Sequence, residues 1–192
     1  MANIQGTTDG EFIRGTGAKD TIVAGGGDDV VSAGGGNDSV NAGYGDDLVR
    51  GGNGNDIIDG GQGDDIVRGD AGDDTLNGGE GNDILTGGWG ADTFVWGAFN
   101  FGGSVDVVTD FRLDQGDLLN LKNATVTAYE FKDFDGDGDP NFLKDAITKE
   151  DVLVTITDNT SGEESTIWLL DVVIGGQSEQ DVIDYLDSLS GA

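Results

Sequence analysis

The chain contains no cysteine and no histidine, and only one proline and one methionine among 192 residues. Lack of cysteine excludes disulfides and thiolate metal sites. Lack of histidine excludes a Ser-His-Asp triad, an HExxH zinc site and imidazole acid–base work. Basic residues are scarce: 9 Lys and Arg stand against 38 Asp and Glu, a formal net charge of −29. That field repels nucleic acid and anionic membrane, and it opposes compaction unless something positive binds. Long apolar runs are absent too, so no segment suits membrane insertion. The opening MANIQGTTDGEFIRG has neither the basic start nor the apolar stretch of a secretory signal peptide. There is no GxSxG and no phosphate loop, and the GxG patterns precede aspartates, which would repel phosphate. The reading is of a protein that is not an enzyme. Carboxylate-only catalysis, as in glycoside hydrolysis, would need an aromatic-lined cleft.

Such acidity often means a disordered chain, yet 35 % of the residues are hydrophobic and stand at regular positions. Residues 1–95 hold 26 of the 36 glycines. In residues 15–95 nine units of nine residues run in unbroken register, the first at Gly15 and the last at Gly87. The sixth residue of each is Asp20, Asp29, Asp38, Asp47, Asp56, Asp65, Asp74, Asp83 or Asp92. The eighth is Ile22, Val31, Val40, Val49, Ile58, Val67, Leu76, Leu85 or Phe94. Residues 1–14 read as a degenerate leading repeat, with Glu11 and Ile13 in those two slots. Six glycine-rich residues make a turn, because glycine takes positive φ without penalty. The next three, aliphatic or β-branched, suit a short strand with one side chain inward. A unit of this kind cannot bury its apolar residue alone, so units must stack. Two units make one coil, and the expected fold is all-β: a right-handed parallel β-roll with a thin aliphatic core.

Stacking turns the aspartates into columns. Residues eighteen apart become neighbours, Asp38 beside Asp56, Asp74 and Asp92, and Asp29 beside Asp47, Asp65 and Asp83. Strand spacing sets successive rungs about 4.8 Å apart, where bare carboxylates repel. Calcium takes six to eight oxygens at about 2.4 Å, so an ion between rungs spans the same distance, with glycine turns freeing carbonyls to complete its shell. The units GGNGNDIID, GGQGDDIVR, GGEGNDILT and GGWGADTFV resemble the GGxGxDxUx nonapeptide of RTX (repeats-in-toxin) proteins. The unit GTGAKDTIV departs from it, lacking two glycines and placing Lys19 beside Asp20. Seven pairs of roll aspartates lie eighteen apart, and the expected cofactor is Ca²⁺, with five to seven ions in the roll. The resemblance implies a bacterial protein that is secreted or held at the cell surface, exported by a type I secretion apparatus and folded on meeting extracellular calcium.

One outward column is apolar throughout: Val30, Leu48, Ile66 and Ile84, with Arg50 and Arg68 two places on. An exposed apolar stripe usually marks a contact. The expectation is that the C-terminal half or a second molecule covers it, with an acidic polymer as a lesser option.

Residues 96–192 change pattern. Phe94, Trp96, Phe99 and Phe101 supply bulk that the roll lacks, and Asp106, Asp110 and Phe111, followed by GDLLNL, resemble the segment that closes the roll in secreted RTX proteases and adhesins. Solenoids need a cap, so 96–121 reads as one. Residues 151–157 and 165–173 read as two strands, and 178–189, with its serine cap and helical spacing of Val182, Ile183, Tyr185, Leu186 and Leu189, as a helix. The resemblance makes the end of the chain an uncleaved secretion signal. DFDGDGD places Asp133, Asp135 and Asp137 at the alternate places of a calcium loop, but the twelfth position is Lys144, so a standard EF-hand is excluded and a lone calcium loop competes with a solvated turn. Two functions remain: the folding and secretion module of a larger extracellular protein, or a stand-alone surface, adhesion or assembly protein that binds a polysaccharide or itself with calcium.

Overall fold

The computed structural model describes residues 1–97, 104–122, 124–132, 150–172 and 179–190. Asp133, Asp135 and Asp137, and with them Phe99 and Phe101, lie outside the described residues. The repeat folds as a parallel roll. Strands β1 (Asn3–Gln5), β3 (Thr21–Gly26), β5 (Ser39–Tyr44), β7 (Ile57–Gln62), β9 (Thr75–Glu80), β11 (Thr93–Val95) and β13 (Leu118–Asn120) form one sheet of seven, here called the odd sheet. Strands β2 (Phe12–Arg14), β4 (Val30–Gly35), β6 (Leu48–Asn53), β8 (Ile66–Ala71), β10 (Ile84–Trp89) and β12 (Val105–Val108) run through the other, the even sheet. Registers step by eighteen residues, as in Val40↔Ile58 and Val49↔Val67. Residues 1–14 join the roll as its first coil, pairing Ile4 with Ile22 and Ile13 with Val31.

The full-length repeat strands are six residues long, not three, and the turns between them only three. The first two glycines of each unit were expected in the turn, but they extend the strand. The second one adopts positive φ, as Gly52 and Gly61 do at 114°. A positive φ repeated at the same place in every coil leaves the coils parallel, so inter-coil pairing such as Gly43↔Gly61 continues through it. Two of these slots lack glycine: Thr16, which does not take positive φ, and Asp70, whose φ is 79°, a conformation that asparagine and aspartate tolerate best among side-chain-bearing residues.

The predicted inward column is the core. Ile22, Val31, Val40, Val49, Ile58, Val67, Leu76, Leu85 and Phe94 are all buried, together with the small residues Ala24, Ala33 and Ala42 at the first place of their units. Past Phe94 the interior widens around Trp96, Val108, Phe111, Leu119 and Leu121. Phe94 and Phe111 stand 6.0 Å apart between ring centroids, and Phe111 stands 6.1 Å from Tyr185. These rings bury the end of the aliphatic core.

The C-terminal half extends the roll edgewise. Strand β12 pairs in parallel with β16 (Glu164–Val172), which continues antiparallel into β15 (Glu150–Asp158) and β14 (Ala124–Lys132), so the even sheet has nine strands. The two expected strands are β15 and β16, within a residue or two of their predicted ends. The expected helix is α1 (Glu179–Leu189), which buries Val182 and Leu186. It is fixed by Leu119 N–H donating to Tyr185 Oη at 2.5 Å and by Tyr129 Oη donating to Asp187 at 3.0 Å.

Of the two expected covers for the apolar column, the C-terminal half does not supply one among the described residues. Among the described residues, Leu48, Ile66 and Ile84 remain 37–41 % exposed and Phe12 88 %, while Val30 is half-buried. The column is instead prolonged, in register, through Val107 and Trp168 to Leu153. Added strands lengthen a sheet and leave its outer face open.

Candidate metal centres

Each turn ends on a buried aspartate. Its placement follows from the repeat: three residues of turn, the middle one exposed, the last one facing inward just before the strand. The structure brings together every aspartate predicted from the spacing. In one column, Asp20 N–H donates to Asp38 Oδ1, Asp38 N–H to Asp56 and Asp56 N–H to Asp74 at 2.6–2.8 Å, and Asp74 N–H to Asp92 at 2.9 Å. In the other, Asp29 N–H donates to Asp47, Asp47 N–H to Asp65 and Asp65 N–H to Asp83 at 2.7–2.9 Å. Each carboxylate therefore spends Oδ1 on the coil before it. Two rungs do not face each other with both oxygens free, as the sequence suggested.

What is left is Oδ2. In Asp29, Asp38, Asp47, Asp56, Asp65, Asp74, Asp83 and Asp92 this oxygen is buried and has no hydrogen-bond partner. Eight orphaned carboxylate oxygens in a fold so well bonded elsewhere need a partner, because an uncompensated buried charge costs several kcal/mol. The glycines around them show why the partner is not a side chain. A Cβ on Gly60 would collide with Asp65 Oδ2 and with the carbonyl of Gly78, and one on Gly69 with Asp74 Oδ2 and the carbonyl of Gly87. Carboxylate and carbonyl oxygens of adjacent coils thus crowd one place. Among the described residues no three Asp or Glu side chains cluster, so such a site draws on one carboxylate and on backbone carbonyls. Hard oxygen donors of this kind fit calcium.

The electrostatics agree. Burial pushes Asp65 up to about 8, Asp74 and Asp83 to about 7, and Asp47, Asp56 and Asp92 to about 6, from an ordinary 3.8. The N–H donated to each works against this, and nearby carboxylates add to it. Metal-free, burial makes the rungs carboxyl groups that resist ionisation.

The ends of the ladders are built differently. Asp20 has no orphan: Oδ2 accepts both the N–H and the hydroxyl of Thr16 at 2.7 Å, and Oδ1 accepts from Ala2 N–H. The Thr16 bond is the main reason its carboxyl is held below the usual range. Asp20 was expected among the metal ligands; its oxygens are already used, and threonine occupies the second-glycine slot that would otherwise be open. At the other end the eighteen-residue step breaks. Asp83 N–H donates to Asp106 at 3.0 Å and Asp92 N–H to Asp117 at 2.9 Å, so these two are the last rungs, at separations of 23 and 25 residues. Asp106 Oδ2 accepts the indole N–H of Trp96 at 2.8 Å, and Asp117 Oδ2 accepts Arg112 N–H at 2.8 Å. Asp110 caps Gly87 and Gly88, accepting both N–H groups at 2.8 Å. Sequence reading placed Asp106 and Asp110 in the closing segment but did not give them or Asp117 a rung, because periodicity was the only signal used.

A second ladder was missed outright. The fifth residue of the units is Asp or Asn from Asp28 to Asn82, and these exposed side chains bind the opposite way. Asp46 N–H donates to Asp28, Asp64 N–H to Asp46 and Asn82 N–H to Asp64 at 2.8–3.1 Å. Asn55 N–H donates to Asn37 and Asp73 N–H to Asn55 at 3.2 Å, and Ala91 N–H to Asp73 at 3.0 Å. The signal was present in the sequence: that slot, though free in the nonapeptide pattern, is filled with short acceptors.

Comparison with known proteins gives one positive result. The family model described as RTX calcium-binding nonapeptide repeat matches four times, at residues 5–40, 32–67, 41–76 and 59–94. No curated protein matches the chain. The orphaned rungs, the parallel coils and this match lead to one statement: the repeat region of this chain is an RTX calcium-binding β-roll.

Proposed function

We propose that the chain is a calcium-triggered folding module of a bacterial protein that is secreted or held at the cell surface, exported by a type I apparatus loose and folded outside. The observation that carries this is the row of eight buried, unpartnered Oδ2 atoms in a chain of net charge −29. Asp29, Asp38, Asp47, Asp56, Asp65, Asp74, Asp83 and Asp92 would each give one oxygen to a Ca²⁺ ion, and carbonyls of the neighbouring coil would supply others. Bound calcium supplies the positive charge that the repeat lacks. Because the ligands are gathered only in the folded coil, binding free energy is folding free energy. At sub-micromolar calcium inside the cell the repulsion prevails; at millimolar calcium outside, the coil closes. The β-roll is a structural calcium-binding fold, and catalysis has no part in this reading. Far-UV circular dichroism across a calcium titration tests it. The expected result is a β-sheet spectrum that appears with calcium and disappears with chelator; a spectrum equally β-rich in chelator at neutral pH would sink the switch.

The exposed apolar column favours a second reading, in which the folded roll also binds a polysaccharide or another copy of itself. Arg14, Arg50 and Arg68 stand in register with one another, via Ser32, beside Phe12, Leu48 and Ile66. The double change Leu48→Asp, Ile66→Asp should abolish any calcium-dependent association measured by sedimentation; unchanged sedimentation and unchanged thermal stability remove this reading.

A further inference from the structure

The two columns of orphaned rungs are not equivalent. Asp29, Asp47, Asp65 and Asp83 lead into the even sheet, and Asp38, Asp56, Asp74 and Asp92 into the odd sheet. The backbone treats them alike, with the same Oδ1 bond and the same free Oδ2. Their surroundings differ in charge. Before the even sheet the fifth-place residues are Asp28, Asp46, Asp64 and Asn82, with the exposed Glu80 at the end of the preceding strand and no basic residue in these turns. Before the odd sheet the fifth-place residues are Lys19, Asn37, Asn55, Asp73 and Ala91. Two further acids stand there: Asp70, held in an ion pair with Arg50, and Asp110, which accepts from Gly87 and Gly88 beside Asp92. The even column thus has three fifth-place carboxylates and Glu80 with no basic neighbour in its turns, whereas the odd column has Asp73 and Asp110, Lys19 at its start, and neutral fifth-place residues beside Asp38 and Asp56.

We propose that the roll carries two classes of calcium site, a tighter column at Asp29, Asp47, Asp65 and Asp83 and a weaker one at Asp38, Asp56, Asp74 and Asp92, and that the charge of the fifth-place residue sets the difference. This rests on the calcium reading above. Affinity of an oxygen site for calcium rises with the negative charge around it, and the attraction extends beyond direct ligands. The fifth-place residue acts as a positioning and charge-setting group, not a ligand: its Oδ1 is already engaged by the next coil. Aspartate and asparagine hold that bond equally, as the Asn37 and Asn55 turns show. Exchanging one for the other therefore changes charge and leaves the turn intact. Cations delivered to the more negative edge first would also set the even sheet, the one the C-terminal strands extend, ahead of the odd sheet.

The test is calcium release from the fully loaded protein into excess fluorescent chelator, followed by stopped flow. Wild type should release calcium in two phases of similar amplitude. Asp46→Asn with Asp64→Asn should speed the slow phase about tenfold and leave the fast phase within twofold. Asn37→Asp with Asn55→Asp should slow the fast phase by a similar factor. Asp47→Ala with Asp65→Ala should shrink the slow amplitude, and Asp56→Ala with Asp74→Ala the fast one. Circular dichroism at saturating calcium confirms that each variant is folded, and equilibrium dialysis reports its stoichiometry. A single phase in wild type, or charge changes that move both phases equally, overturns the two-class assignment while leaving calcium binding intact. No calcium bound at all overturns the calcium reading itself.

Discussion

Replacing three rungs, Asp47→Asn, Asp65→Asn and Asp83→Asn, should stabilise the metal-free roll strongly and reduce the stability that calcium adds. Asparagine keeps the Oδ1 acceptor for the N–H groups of Asp29, Asp47 and Asp65. It replaces the orphaned Oδ2 with an amide donor, which in residue 65 shares the space above Gly60 with the carbonyl of Gly78. Burial raises these carboxyls to about 6, about 8 and about 7, against 3.8 in the open chain, and that shift sets the order of magnitude of what the metal-free fold loses by holding them there. By linkage, each costs roughly 3–4 kcal/mol at pH 7, and the three together on the order of 10 kcal/mol. That equals the whole stability of an ordinary domain. The triple variant should therefore be β-rich in chelator at pH 7, where wild type is not. In calcium part of that gain is given back. If a site binds at roughly 100 µM, 1 mM calcium adds about 1.4 kcal/mol per site, so losing three sites removes about 4 kcal/mol of calcium-dependent stabilisation. The assay is urea unfolding followed by circular dichroism, with chelator and with 1 mM calcium. If the variant is no more folded than wild type in chelator, buried charge is not what keeps the metal-free chain open.

Acid should substitute for calcium. The rung carboxyls have folded-state values above their open-chain value, so the folded roll binds more protons; its metal-free stability is greatest below about pH 4 and is lost as pH rises through about 6 to 8. A chelator-treated sample should gain β-sheet signal between pH 7 and 4.5, and a spectrum flat across that range would refute the argument. Trp96→Phe removes the indole donor to Asp106 and should cost about 2–3 kcal/mol in calcium, measured by thermal unfolding, because it leaves a buried carboxylate oxygen unpaired. Asp70→Gly relieves a positive φ and gives up only an exposed pair with Arg50; it should raise stability in calcium by about 0.5–1 kcal/mol, and a lower melting temperature would show that the carboxylate does more than pair with Arg50.

Much of the roll could be read from residue order because its contacts are periodic. A coil of eighteen residues stacked on its copy brings each residue against the one eighteen places on. The nonapeptide alone therefore determined the inward column from Ile22 to Phe94, the two columns of aspartates, and the outward placement of Leu48 and Ile66. The alternation and helical spacing near the end likewise determined strands β15 and β16 and helix α1. Tertiary structure decided whatever depends on contacts without a fixed separation. Asp106 and Asp117 become last rungs across 23 and 25 residues, and the indole that satisfies Asp106 arrives from a segment outside the repeat. Whether a carboxylate has an oxygen to spare was likewise invisible in the spacing. Asp20 and Asp38 hold the same place in their units, yet Thr16 bonds one and nothing bonds Oδ2 of the other. Local pattern fixes where a side chain points; only the packed molecule fixes which hydrogen bonds are left for it to make.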